Sequence, residues 1–251
     1  MNIMLSILKY TYCCLCIVTA CMGQLVFAQI ESFTAQLVTE QSNVEQPVTS
    51  IEKAVKGSIE QLIAFFTELS SVQTDFEQIT LDASGRNLQS FTGKLWLQRP
   101  LHFYYETDAP HNQVIVIKAV EDGTEENKKE IWFYDKDLQQ VTVQAFDQQF
   151  AQTPLMLIID PSTAFLKQHF RVKAGKRSNS GQQQFELIPL VKDQLYEKIR
   201  FHFSQDKLYE IQLEDSLGQK TVMTFENAVY NEPVATENFQ LDLSDNVDIL
   251  R

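Results

Sequence analysis

The polar and apolar positions of this chain change period along its length. Ile59, Leu62, Ile63, Phe66, Leu69 and Val72 recur at helical spacing, and Ser58-Ile59-Glu60-Gln61 fits a capping box, so one amphipathic helix is predicted from Ser58. From Val72 the period falls to two. The runs VQTDFEQITLD, LQSFTGKLWLQRP, HFYYET, QVIVIK, EIWFYD and QVTVQAF, separated by short turns, predict an antiparallel meander. The charged stretch from Ala119 to Glu130 has loop composition and reads as a long, solvated hairpin loop. Strands resume after Gln168 with FRVKAG, QQFELIPL, YEKIRFHF, LYEIQLED and KTVMTFENAVY, and Phe239 to Leu243 is a candidate for one more. The total is about eleven strands without strand-helix-strand repetition. The fold class expected is mainly β: a curved, half-closed antiparallel sheet with helices over one face or mouth.

Those helices fall between the two sets of strands. Thr153 before Pro154, and Asp160 before Pro161, each pair an N-cap residue with proline at the first helical position, predicting two short helices in tandem over Pro154 to Leu166. The first is apolar all round, so protein or a ligand must cover it.

The segment GKLWLQRPLHFYYE, Gly93 to Glu106, carries the most information. Alternation puts Leu95, Leu97 and Arg99 on one face of a strand and Lys94, Trp96 and Gln98 on the other. Pro100 cannot donate to a ladder and marks a strand end, after which Phe103 and Tyr105 continue one face. An apolar row therefore ends in a guanidinium. Three roles for Arg99 stand open: a rim residue that snorkels to water, a buried arginine bonded to something that closes over it, or an anion site.

Met1 to Ala28 is apolar apart from Lys9, the pattern of an export signal, and Val26-Phe27-Ala28 suits cleavage before Gln29. Val18-Thr19-Ala20-Cys21 offers a second outcome, a lipid-modified Cys21, and a retained membrane anchor is a third. Residues 29–57 are polar and read as a linker, which leaves 58–251 as one domain. All four cysteines, Cys13, Cys14, Cys16 and Cys21, lie in the leader, so a chain cut after Ala28 has neither disulfides nor cysteine metal sites. The cut removes one positive charge and takes the net charge from −12 to −13. That balance excludes nucleic acid and electrostatic adsorption to anionic lipid as partners.

Reactive chemistry is not indicated. His102, His111, His169 and His202 are scattered, with no metal-ligand spacing. No Gly-x-Ser-x-Gly elbow and no glycine cluster occur. Carboxylates such as Glu210 and Glu214 fall on alternating outward positions and read as a solvated face. Neither an enzyme nor a cofactor or metal is expected.

The same stretches carry a family resemblance. The helix leading to VQTDFEQ, then FTGKLWLQRPLHFYYET, HNQVIV, EIWFYDKDLQQVTV, QTPLMLI and DSLGQKTVMTFENAVYNEPVATENFQLDL, in order over about Ser58 to Asp248, resemble LolA, the periplasmic outer-membrane lipoprotein carriers. The resemblance implies an unclosed antiparallel β-barrel with a helical lid over an apolar cavity for lipoprotein acyl chains. Cavity residues are then expected at Leu62, Phe66, Leu95, Leu97, Phe103, Tyr105, Leu155, Met156 and Ile159, with Phe103 at the mouth. Arg99 maps onto the arginine that bonds the lid shut. It further implies a periplasmic monomer that takes lipoproteins from an inner-membrane lipoprotein-releasing ABC transporter and passes them to an outer-membrane acceptor, LolB. Three departures stand out: the long acidic loop 119–130, Ala151-Gln152 before Thr153-Pro154, and a long N-terminal segment. The last, with Cys21, resembles the lipid-anchored acceptor; a periplasmic small-lipid binder is the remaining alternative.

Overall fold

The computed structural model describes residues 48–119, 129–146, 158–159, 162–191, 196–243 and 246–251. Twelve strands form one sheet in the order β12-β6-β5-β4-β3-β2-β1-β11-β10-β9-β8-β7, with no bond joining its two ends. The strands are β1 (Ser71–Leu81), β2 (Asn87–Gln98), β3 (His102–Thr107), β4 (Gln113–Ala119), β5 (Lys129–Asp135) and β6 (Gln140–Ala145) in the first meander. They continue as β7 (Phe170–Ala174), β8 (Gln182–Pro189), β9 (Lys198–Ser204), β10 (Lys207–Glu214), β11 (Lys220–Tyr230) and β12 (Asp248–Leu250). Each run of the two meanders pairs antiparallel with its chain neighbour, and β1 against β11 joins the two halves.

Helix α1 (Val48–Thr67) begins well before Ser58, so residues 48–57 are helical where a linker was expected. Ser58 is not a cap; its Oγ accepts the Ala174 N–H at 3.2 Å. The capping signature misled because the same hydroxyl serves a tertiary bond. Ile59, Leu62 and Phe66 are buried to within 2%, each contributing roughly 1.5–3 kcal/mol. They meet an aromatic floor, with Phe66 edge-on to Phe201 at 5.1 Å and Phe65 edge-on to Phe185 at 5.4 Å.

The path from β6 to β7 sets the architecture. β6 lies beside one end of the sheet order and β7 forms the other, so the segment between them must cross from edge to edge. Its described parts lie on the concave side: Ile158, Ile159 and Leu166 share one buried cluster with α1. Helix α2 (Thr163–His169) is capped by Ser162, whose Oγ accepts the Phe165 N–H at 3.2 Å, while Asp160 and Pro161, expected at its start, lie outside the described residues. Leu155 and Met156 lie outside the described residues, as does loop 120–128.

The twelfth strand is not Phe239–Leu243. Thr236–Phe239 is a 3-10 turn that buries Phe239 beside the His102 ring, 5.3 Å away. Leu241, Leu243 and Val247 then pack against Val114, Val116, Tyr134, Val141 and Val143 on the convex face. Asp248–Leu250 pairs parallel with β6. Alternation in this tail reflects packing on a finished sheet instead of a ladder position.

The glycine of the Gly93–Glu106 motif has a steric cause. A Cβ there would strike the Glu106 carbonyl and lie 2.6 Å from Cζ of Phe76, whose ring stacks on Tyr105 at 4.9 Å. Gly93→Ala is expected to destabilise the fold by about 1–3 kcal/mol through overpacking; urea unfolding checks this, and an unchanged midpoint contradicts it.

Candidate functional site

The concave face is built from alternate residues of β2 and β3. Leu95, Leu97, Phe103 and Tyr105 are buried there, while Trp96 and Tyr104 stack on the opposite face at 4.7 Å. The register pairs Leu97 with Phe103 and Leu95 with Tyr105, so four apolar side chains meet across one ladder. The described residues expected in the cavity, Leu62, Phe66, Leu95, Leu97, Phe103, Tyr105 and Ile159, all belong to one cluster. Phe103 is 0% exposed, so it lies in a sealed contact and not at an open mouth.

Arg99 extends the row of Leu95 and Leu97 to the rim of the sheet. Its backbone N–H donates to Ser70 O at 2.9 Å, which fixes the base of the side chain. The guanidinium is half-buried and donates from Nε to the Ile159 carbonyl at 3.0 Å and from Nη2 to the Ile158 carbonyl at 2.7 Å. Two neighbouring carbonyls of the crossing segment are thus held by one planar fork, a geometry a lysine does not reproduce. Hydrogen bonds to a charged donor contribute roughly 1.5–3 kcal/mol each.

Among the described residues, two openings lie beside this closed face. One, of about 190 Å³, lies between the end of α1 and the β9–β10 turn, bounded by Phe65, Phe203, Leu208 and Tyr230. The Tyr230 hydroxyl donates to the Leu208 carbonyl, and burial pushes its pKa up to about 12. The other, of about 200 Å³, lies over β4 to β6, lined by Ile115, Phe133 and Leu138 with Gln140, Thr142 and Gln144. Sequence reasoning missed this second opening. The β6 valines are the apolar half of an alternating run, and a one-sided sheet would turn them inward; the structure turns Val141 and Val143 outward beneath the tail.

Titratable groups are dispersed. Burial lowers the pKa of His111, beside Phe91, and that of His202, beside Glu210. Among the described residues no three His, Cys, Asp or Glu side chains gather as a metal site. No described helix is long and apolar enough to cross a membrane.

An unclosed antiparallel half-barrel whose apolar inner face is covered by its own helices defines a class of proteins that hold apolar guests. The family model "Outer membrane lipoprotein carrier protein LolA" matches residues 67–242, and the chain belongs to that family. It is 32% identical over 205 residues to the outer-membrane lipoprotein carrier protein of Chromohalobacter salexigens, covering 82% of this chain and 91% of that one. It is 31% identical over 195 residues to that of Pseudomonas aeruginosa PAO1, covering 78% and 88%. Among solved structures it is similar to a putative outer membrane lipoprotein-sorting protein domain from Vibrio parahaemolyticus, with a TM-score of 0.42 at 14% identity over 75% of this chain and 97% of that one.

Two predictions rest on this geometry. Phe103→Ala is expected to cost about 3–5 kcal/mol, read as a lowered urea midpoint; a near-neutral change would place the ring at an open mouth. Folded His111 and His202 bind protons less readily than in the unfolded chain, so stability is unaffected above their ordinary pKa near ~6.5 and falls as pH drops below it. Melting temperature between neutral and mildly acidic pH checks this, and His202→Gln should flatten the slope.

Proposed function

We propose that this chain carries lipoproteins through the periplasm by holding their acyl chains against the concave face. It receives them from an inner-membrane lipoprotein-releasing ABC transporter and passes them to the acceptor LolB. The observation that carries this reading is the Arg99 fork on the Ile158 and Ile159 carbonyls, a polar closure over an apolar face. Family membership supports it.

The magnitudes are suited to transfer. Burying an acyl chain yields about 0.8 kcal/mol per CH₂, so roughly 12 kcal/mol for a fifteen-methylene chain. Two charged hydrogen bonds together hold about 3–6 kcal/mol, less than the acyl chain gains, so cargo displaces the lid, while an empty carrier keeps its apolar face covered. Reclosure favours release, so no nucleotide and no covalent step are needed on this chain.

Arg99→Leu is therefore expected to bind acyl cargo at least as tightly as wild type and to deliver it more slowly. Removing the two bonds lowers the cost of opening by about 3–6 kcal/mol, and leucine adds apolar lining. Arg99→Lys should be intermediate. Cargo retained after incubation with purified acceptor reads the effect; poor loading, or handover at the wild-type rate, contradicts the latch. Co-purifying triacylated protein supports the carrier, and free lipid alone supports the small-lipid binder. The mature chain is taken to start at Gln29, and an intact mass carrying a diacylglyceryl group on Cys21 would instead favour the anchored acceptor.

A further inference from the structure

The opening over β4 to β6 differs in chemistry from the rest of the concave face. Phe133 pairs with Thr142, Ile131 with Gln144 and Asp135 with Gln140, so the inward row of β6 is polar and lies opposite two apolar residues and one carboxylate of β5. The outward row, Val141 and Val143, is buried under the tail. Polar side chains turned toward an apolar cavity lose solvation and need partners. Here they are neutral, two glutamines and a threonine, with Gln113 on the neighbouring strand.

Among the described residues of this lining the only charge is Asp135. Its Oδ1 accepts the backbone N–H groups of Asp137 and Leu138 at 3.1 and 3.0 Å, which holds the carboxylate in the β5–β6 turn. Lys136, on the same turn, is paired with Glu106. The described lining therefore offers no cation to a phosphate, and one carboxylate repels it. Carboxamides, by contrast, donate to ester carbonyls and accept from amide N–H groups.

Size narrows the guest further. About 200 Å³ exceeds the ~150 Å³ that holds a benzene and falls short of the ~300 Å³ at which sites for whole drug-sized ligands begin. The opening takes the junction of a lipid, not its chains. Ile115, in its lining, belongs to the same apolar cluster as Leu97, Phe103, Ile158 and Ile159.

We propose that this opening seats the uncharged, ester-bearing junction of a diacylglyceryl-modified cysteine and rejects the phosphate headgroup of a phospholipid with the same chains. This rests on the carrier reading and adds a selection rule to it. Acyl burial alone does not distinguish the two lipids, because their chains are alike. The difference lies at the junction, where glutamines satisfy esters and amides and Asp135 disfavours a second anion.

The test uses the mature chain and two soluble probes with identical short chains, an N-acetylated S-(dihexanoylglyceryl)-cysteinyl peptide amide with neutral side chains, whose junction is then uncharged, and dihexanoyl phosphatidylglycerol, each titrated by calorimetry. Wild type is expected to prefer the lipopeptide by at least about tenfold. Gln144→Lys and Gln140→Lys place a cation at the rim and should narrow the preference to within about threefold, chiefly by tightening the phospholipid. Asp135→Asn keeps the Oδ1 acceptor of the turn and should shift the ratio the same way by less. Melting curves confirm that each variant is folded. Equal binding of both probes by wild type, or an unchanged ratio in the folded variants, overturns the selection rule and leaves the carrier reading standing. Failure of wild type to bind either probe overturns the carrier reading and the rule with it.

Discussion

An open sheet with one apolar face has to be covered, and this requirement organises the molecule. A closed barrel would seal that face permanently; here the sheet order runs from β12 to β7 without closure. The chain covers the face with two unequal pieces, the long helix α1 and the crossing segment between β6 and β7. Helix α1 is anchored by a stack of phenylalanine rings on β8 and β9, a contact spread over many atoms. Among the described residues the crossing segment is buried through Ile158, Ile159 and Leu166 and is tied by Arg99. The two covers thus differ in kind. One is part of the core, and the other is held by a small number of directional bonds that a competing apolar guest outweighs.

The free edge of β7 is managed by the same elements. Phe170 donates its N–H to the Leu166 carbonyl at the end of α2, and Ala174 donates its N–H to Ser58 Oγ on α1. Arg171 and Lys173 are exposed along the same strand. An edge so occupied and charged is a poor template for another strand, which keeps an open sheet from pairing with a second copy.

The opposite side of the sheet explains the polarity of the inner one. At β4 the side chains are apolar on both faces, Val114 and Val116 outward, Ile115 and Ile117 inward, so a second cover is required. The C-terminal tail supplies it and ends as β12 on β6. Once the tail buries Val141 and Val143, period-two geometry turns Gln140, Thr142 and Gln144 inward. The neutral rim over β4 to β6 follows from how the outer face is packed.

The sequence by itself determined the period changes, and with them eleven of the strands, the existence of α1, and the row Leu95, Leu97, Arg99 that continues in Phe103 and Tyr105. These are legible because local alternation and turn chemistry act over neighbouring residues. Tertiary structure decided the rest. Ser58 carries a capping signature yet bonds a strand more than a hundred residues away, so α1 starts at Val48. The family resemblance places Phe103 at a mouth, but burial depends on what the chain lays over it, and its ring is sealed. Arg99 had three roles open to it because a guanidinium's partner is chosen by distant backbone; only the fold brings the Ile158 and Ile159 carbonyls to it. Alternation likewise states that two faces of β6 differ, and not which faces the cavity. That sign is set by the C-terminal tail, distant in sequence, which packs on the outer face of β4 to β6.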